Sequence, residues 1–170
     1  MQLTTFDNVS VMEFLDLIDG LAKRLGHDSF DVQDGTECAV NFDNMPVLFR
    51  AYNYLRMVSL RGKIGIVPSE GRSELDSRFV TDAFLSAEGV GPICTRDPED
   101  GCAYVTIFRS LDAVDNDEFY SLTEKFVNDL ERLRKMLADF RPTHPPSVPQ
   151  AQGGADADHE SDDNPGMIRV

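Results

Sequence analysis

The side chains best suited to nucleophilic, acid–base or metal chemistry are His27, His144 and His159, with Cys38, Cys94 and Cys102. Nucleophilic catalysis needs a nucleophile, a base and a group that orients the base. His144 and His159 fall in a Pro-rich, acidic C-terminal stretch, and His27 follows a helix stop at Gly26, so none is set beside a cysteine or serine. The cysteines are odd in number and lack metal-ligand spacing. Cys38 stands mid-strand and reads as a small buried hydrophobe. Asp97, Glu99 and Asp100 offer oxygen ligands, but the interleaved Pro98 and the lack of a downstream acidic ligand fail the calcium-loop pattern. Gly62-x-x-Gly65 is too sparse for a phosphate loop. Nothing among the 30 carboxylates marks a pair as acid and base. The expectation is a protein that binds rather than transforms, with no catalytic residues, metal or cofactor.

Composition narrows what is bound. The net charge is −14 over 170 residues, and the apolar fraction of 41% is enough for a core. Phosphate contacts need clustered Lys and Arg, so the charge argues against a nucleic-acid partner, and it disfavours an anionic membrane surface. Acidity keeps the chain soluble and attracts basic partners. The start, MQLTTFDNVS, lacks the basic-then-apolar pattern of a signal peptide, and no apolar run approaches the ~20 residues that span a bilayer. A cytoplasmic protein with reduced thiols is expected. Residues 141–170 hold five of the nine prolines and few large apolar groups, so they read as a Pro-rich acidic disordered tail. Residues 1–140 form the domain, and with 25 acidic and 14 basic residues they are acidic without the tail.

Within that domain, a first helix is expected over 11–25. Ser10 and Glu13 form a capping-box pattern, and Gly26 supplies the stop. Val11, Phe14, Leu15, Ile18, Leu21, Ala22 and Leu25 make one stripe, with Leu17 off it as apolar surface. Three strands follow, about 36–42, 46–53 and 55–61. They place Cys38, Val40 and Phe42, then Val47, Phe49 and Ala51, then Val58 and Leu60, on shared faces in an antiparallel meander. Leu48 and Tyr52 make the other face of the second strand partly apolar.

A second helix begins near Ser73, with Asp76 close to its N-terminal dipole, and ends at Gly89. Its apolar positions Leu75, Phe79, Val80, Ala83, Phe84 and Ala87 cover about half the circumference, and Leu85 lies beyond them. One sheet contact needs less, so either a second subunit or a central position in the protein's own core is expected. Strands at 91–96 and 102–111 flank the turn Asp97-Pro98-Glu99-Asp100-Gly101. Ile93, Ala103, Val105, Ile107 and Leu111 are expected on one face. With the turn centred on Glu99, Cys94 opposes Tyr104 and Cys102 opposes Arg96, which argues against a disulfide. A third helix, 116–139, is capped by Asp115 or Asn116 with Glu118 behind. It carries the core stripe Phe119, Leu122, Phe126, Leu130, Leu133 and Leu137.

The fold class is α+β, with an antiparallel sheet packed with helices in the order α-β-β-β-α-β-β-α. That order, with the stretches FLDLIDGLAKRLGHDSFDVQDGTECAVNFD, DAFLSAEGVGPICTRDPEDGCAYVTIFRSLD and DNDEFYSLTEKFVNDLERLRKML, resembles the class I type III secretion chaperones, small partners of bacterial effector proteins. The resemblance covers about 10–140. Many members carry a Leu-Leu-x-x-Asn-like end to the second helix, whereas here Phe84-Leu85 is followed by Ser86-Ala87-Glu88. It implies a homodimer that holds the unfolded N-terminal segment of a secreted effector, extended and partly added as a strand at a sheet edge. It implies no cofactor or nucleotide. The client surface it implies, on helix one and the first strands, is assigned to Leu17, Val32, Val40, Phe42, Val47 and Phe49. The dimer interface, on helix two and its neighbouring strand, is assigned to Val80, Phe84, Leu85 and Ile93. A YbjN-like adaptor that binds a folded partner is the alternative.

Overall fold

Six antiparallel strands form one sheet in the order β1-β2-β3-β4-β6-β5. The computed structural model describes residues 5–85 and 92–142, with the side chains of 5–9, 80 and 82–85 left out. The elements are α1 (Thr5–Arg24), β1 (Val32–Gln33), β2 (Glu37–Phe42), β3 (Met45–Tyr52), β4 (Met57–Ile66), α2 (Arg72–Leu85), β5 (Ile93–Arg96), β6 (Cys102–Ser110) and α3 (Asn116–Asp139). Short 3-10 turns at Asn53–Leu55 and Leu111–Ala113 join β3 to β4 and β6 to α3. The fold class and element order are those expected, with the two-residue β1 added at the edge.

Strand alternation divides the sheet into two faces. One register row runs Val40, Val47, Gly62, Val105 and Cys94 across five strands, and another runs Val32, Cys38, Phe49, Leu60 and Ile107. These rows lie under the helices in a single core with Phe14, Ile18 and Leu21 of α1, Leu75 and Phe79 of α2, and Phe119, Phe126, Leu130 and Leu133 of α3. The rings of Phe49 and Phe119 meet at 5.8 Å. The core stripe expected of α3 is therefore observed, with Leu122 and Leu137 half-buried at its margins. Asp115 caps that helix through a complete capping box with Glu118.

Three local expectations are corrected. The first helix starts at Thr5, and Ser10 lies buried inside it rather than capping it. The Ser10 hydroxyl instead donates to the Asn53 carbonyl at 3.5 Å and accepts from Arg56 at 3.3 Å. β4 continues to Ile66, past the end expected near 61 and through Gly62 and Gly65. Gly62 is a place of close approach: a Cβ there would sit 2.5 Å from Leu130 Cδ2, so the missing side chain lets α3 settle onto the sheet. The β5–β6 hairpin is shifted by one residue, because Asp97 N–H bonds the Cys102 carbonyl and Arg96 pairs with Ala103. Gly101, with φ of 68°, takes up the left-handed turn position. Cys94 therefore opposes Val105, and Ile93 opposes Thr106 on the sheet's other face, away from Val105 and Ile107. The Asp97 and Asp100 carboxylates accept the backbone N–H groups of Glu99 and Cys102, at 2.9 and 2.8 Å, so both serve the turn itself.

Arg56 ties α1 to both 3-10 turns. It adopts a left-handed backbone (φ 49°), and its guanidinium reaches Glu13 at 3.0 Å and Asp112 at 2.5 Å. Hydrogen bonding from Arg56 holds the Asp112 carboxyl below its ordinary value. A carboxyl depressed in the folded state stabilises the fold above its unfolded pKa of ~3.9, and that contribution is lost as pH falls through the depressed value. Arg56→Gln is thus expected to lower Tm by a constant amount from pH 7 to 5. The gap from the parent should narrow below about pH 4. Parallel Tm curves down to pH 2 would show that the pair contributes nothing.

Candidate interaction surface

Among the described residues, no three His, Cys, Asp or Glu side chains converge as a metal site would require. The Cys38 thiol is pushed up to about 11, first by burial and then by Asp31, so it stays protonated at neutral pH. What the described residues offer a partner is exposed apolar surface.

Among the described residues, three of the five exposed large apolar side chains lie together at one end, whereas Ile66 on β4 and Ile93 on β5 stand apart from them. Met12 on α1 is 60% exposed, and Tyr54 and Leu55, on the 3-10 turn packed against α1, are 82% and 65% exposed. Along the neighbouring edge Val11, Leu15, Phe30, Val32 and Phe42 are half-buried. Val11 lies against Gly35 in the β1–β2 turn, where a Cβ would come within 3.2 Å of its side chain. α1 and the short edge strand β1 thus border one partly apolar strip. β1 pairs only through Val32 and Gln33, to Cys38 and Glu37, so among the described residues most of that side of β2 lacks a neighbouring strand. Such an edge can accept an added strand.

The six residues assigned to a client surface divide between two environments. Val32 and Phe42 are half-buried at this edge. Leu17, Val40, Val47 and Phe49 are core residues, and the reading of them as open surface is corrected. The cause is helix placement: α1 and α3 cover the sheet face that these β2 and β3 residues share, and α1 is sunk deeply enough to bury Leu17 as well. Met12, Tyr54, Leu55 and Phe30 contribute apolar surface at this end beyond those six residues. The alternation Phe30-x-Val32 was a usable signal for one of them, whereas Tyr54 and Leu55 stand out only because their turn leaves the sheet. Of the four residues assigned to a dimer interface, Ile93 is 48% exposed, and the side chains of Val80, Phe84 and Leu85 lie outside those described.

The other sheet face carries no helix among the described residues. Across it run Ala39, Leu48, Arg61, Thr106 and Ile93 in one row, and Glu37, Arg50, Ser59 and Phe108 in another. Tyr52 and Phe108 bring their rings to 5.9 Å, and Ser59 between them is buried. Arg61 stacks over Tyr104 at 4.2 Å. Arg50 pairs with Glu37 at 2.5 Å, and Lys63 lies 3.8 Å from Asp100.

Comparison with known proteins agrees with this architecture. The family model described as "Tir chaperone protein (CesT) family" matches residues 16–134. No curated protein matches the chain. Among solved structures, the chain is similar to a complex of the Yersinia pestis type III secretion chaperone SycH with a stable fragment of YscM2. That match has a TM-score of 0.57 and 19% identity and covers 71% of this chain and 98% of that one. It is also similar to the ExsC–ExsE complex, with a TM-score of 0.61, 12% identity and coverage of 79% and 97%. A third similarity is to the ExoT–SpcS complex of Pseudomonas aeruginosa, with a TM-score of 0.55, 15% identity and coverage of 71% and 96%. At these identities the structures support the fold, while the family model spans the core from mid-α1 to late α3. The chain belongs to the Tir chaperone protein (CesT) family.

Proposed function

We propose that this protein is a type III secretion chaperone. It binds the extended N-terminal segment of a secreted effector and keeps it soluble and secretion-competent, acting as a cytoplasmic homodimer without turnover. The observation that carries this reading is the family match over 16–134, and the shared fold of SycH, ExsC and SpcS-containing complexes supports it. Residues 1–140 are the chaperone domain and 141–170 its Pro-rich acidic tail. The adaptor alternative is not favoured, since the matched family is one of chaperones.

The client segment lies along the strip between α1 and β1. It contacts Val32 and Phe42 directly, while Leu17, Val40, Val47 and Phe49 form the packed layer beneath. Backbone pairing at the strand edge supplies affinity that is tolerant of sequence, and alternate side chains select the client. Ordering such a segment costs about 2–5 kcal/mol or more, which apolar contacts must exceed. Co-expression with the products of adjacent reading frames, followed by pull-down, is expected to recover one neighbour through its N-terminal region. Replacing Val32 and Phe42 together by Asp should weaken that complex at least tenfold while moving Tm by only a few degrees. Unchanged affinity places the client elsewhere, and recovery of the protein alone across all neighbours counts against the chaperone reading.

The dimer interface is assigned to α2 and β5 through Val80, Phe84, Leu85 and Ile93. Phe84→Asp is expected to yield monomer by light scattering. A variant that stays dimeric removes α2 from the interface.

A further inference from the structure

The helix-free face of the sheet differs in charge from the rest of the chain. Arg50, Arg61 and Lys63 project from it in a protein of net charge −14; among the described residues Glu37, beside Arg50, is the one carboxylate on its strand positions, and Asp100 of the hairpin turn reaches Lys63 at 3.8 Å, which leaves one cation in excess. Leu48, Tyr52, Met57, Tyr104 and Phe108 lie half-buried among those cations. An aromatic and cationic face of this kind fits an acidic segment that also carries apolar groups. The chain contains one: Asp156, Asp158, Glu160, Asp162 and Asp163, followed by Met167, Ile168 and Val170.

We propose that residues 156–170 dock on this face in cis. The carboxylates pair with Arg61 and Lys63, and the apolar residues lie on Leu48, Tyr52 and Phe108. Reach is sufficient. Pro142 lies beside Gly71, where a Cβ would come 3.0 Å from the proline Cβ, so the chain leaves the domain at the β4–α2 connection. The linker from Pro142 to Asp156 extends to roughly 46 Å at ~3.3 Å per residue. Six strands spaced ~4.8 Å apart make a sheet only about 25 Å wide. The acidity of the whole domain does not forbid the contact, because the screening length of about 8 Å at physiological salt leaves the tail responding to the charges it touches. Covalent tethering also presents the segment at roughly millimolar effective concentration, so weak intrinsic affinity is enough for substantial occupancy. The docked tail competes with any other partner of this face, including a second copy of the sheet. This inference does not depend on the chaperone reading.

The test uses the full chain at low protein concentration and no client. Amide NMR spectra are compared between the parent, a variant with all five tail carboxylates converted to amides (D156N, D158N, E160Q, D162N, D163N), and R61E/K63E. Docking in cis predicts that the tail variant shifts the amides of Arg61, Lys63 and Thr106, and that R61E/K63E shifts the tail amides in return. Both sets of changes should collapse between about 50 mM and 500 mM salt. Changes confined to each variant's own neighbourhood would overturn the proposal. So would shifts mapping to the helix side of the domain. Shifts that grow with protein concentration would assign the face to a second copy and overturn docking in cis.

Discussion

Phe49→Ala is expected to lower the unfolding free energy by about 3–5 kcal/mol, among the largest losses available to a single substitution in this domain. Phe49 is fully buried at the centre of the sheet, paired with Cys38 on one side and Leu60 on the other. Its ring meets Phe119 of α3, so the truncation opens a cavity between sheet and helix and removes an aromatic contact as well. A chain of this length loses roughly 2–4 °C in Tm per kcal/mol, which puts the drop near 10 °C. The measurement is chemical or thermal denaturation without any client. A near-normal Tm with weakened client binding would return Phe49 to the surface, whereas a large Tm loss explains any binding defect as loss of the fold.

Gly62→Val is expected to cost about 1–3 kcal/mol, more if the sheet must move. The glycine pairs with Val47 and Val105 beneath α3, and the position of a Cβ lies 2.5 Å from Leu130 Cδ2 and 3.0 Å from Cδ1. Valine cannot avoid that contact, because its branch at Cβ adds two methyls where one atom already clashes. The mechanism predicts coupling. In a Leu130→Ala background, itself destabilised by about 2–5 kcal/mol, Gly62→Val should be neutral or stabilising, since the added methyls fill the cavity. Additive effects in that double-mutant cycle would show that backbone geometry, not the α3 contact, requires the glycine. Together the two substitutions probe one plane, the seam between the sheet and α3.

Period and punctuation in the amino-acid sequence determined the class of the fold. α3 was legible to its ends because Asp115 and Glu118 form a real capping box and its apolar stripe repeats at helical spacing. β2 and β3 were legible because alternation survives when one face is buried. The family resemblance was legible for the same reason, since it rests on the order of elements. The tertiary structure alone decided which apolar residues stay open. Val47 and Phe42 look equivalent in a strand pattern, yet one lies under α3 and the other at the rim. Ser10 reads as a cap until Arg56, distant in sequence, supplies its partner. Nothing in the strand pattern requires a glycine at 62 until Leu130 arrives above it. The hairpin register follows from the turn closed by Asp97 N–H to the Cys102 carbonyl and Gly101 N–H to the Asp97 carbonyl, and with it the face of Ile93. Local propensity sets which elements form. Their faces, edges and open surface follow from contacts between residues far apart in the chain, which no local window contains.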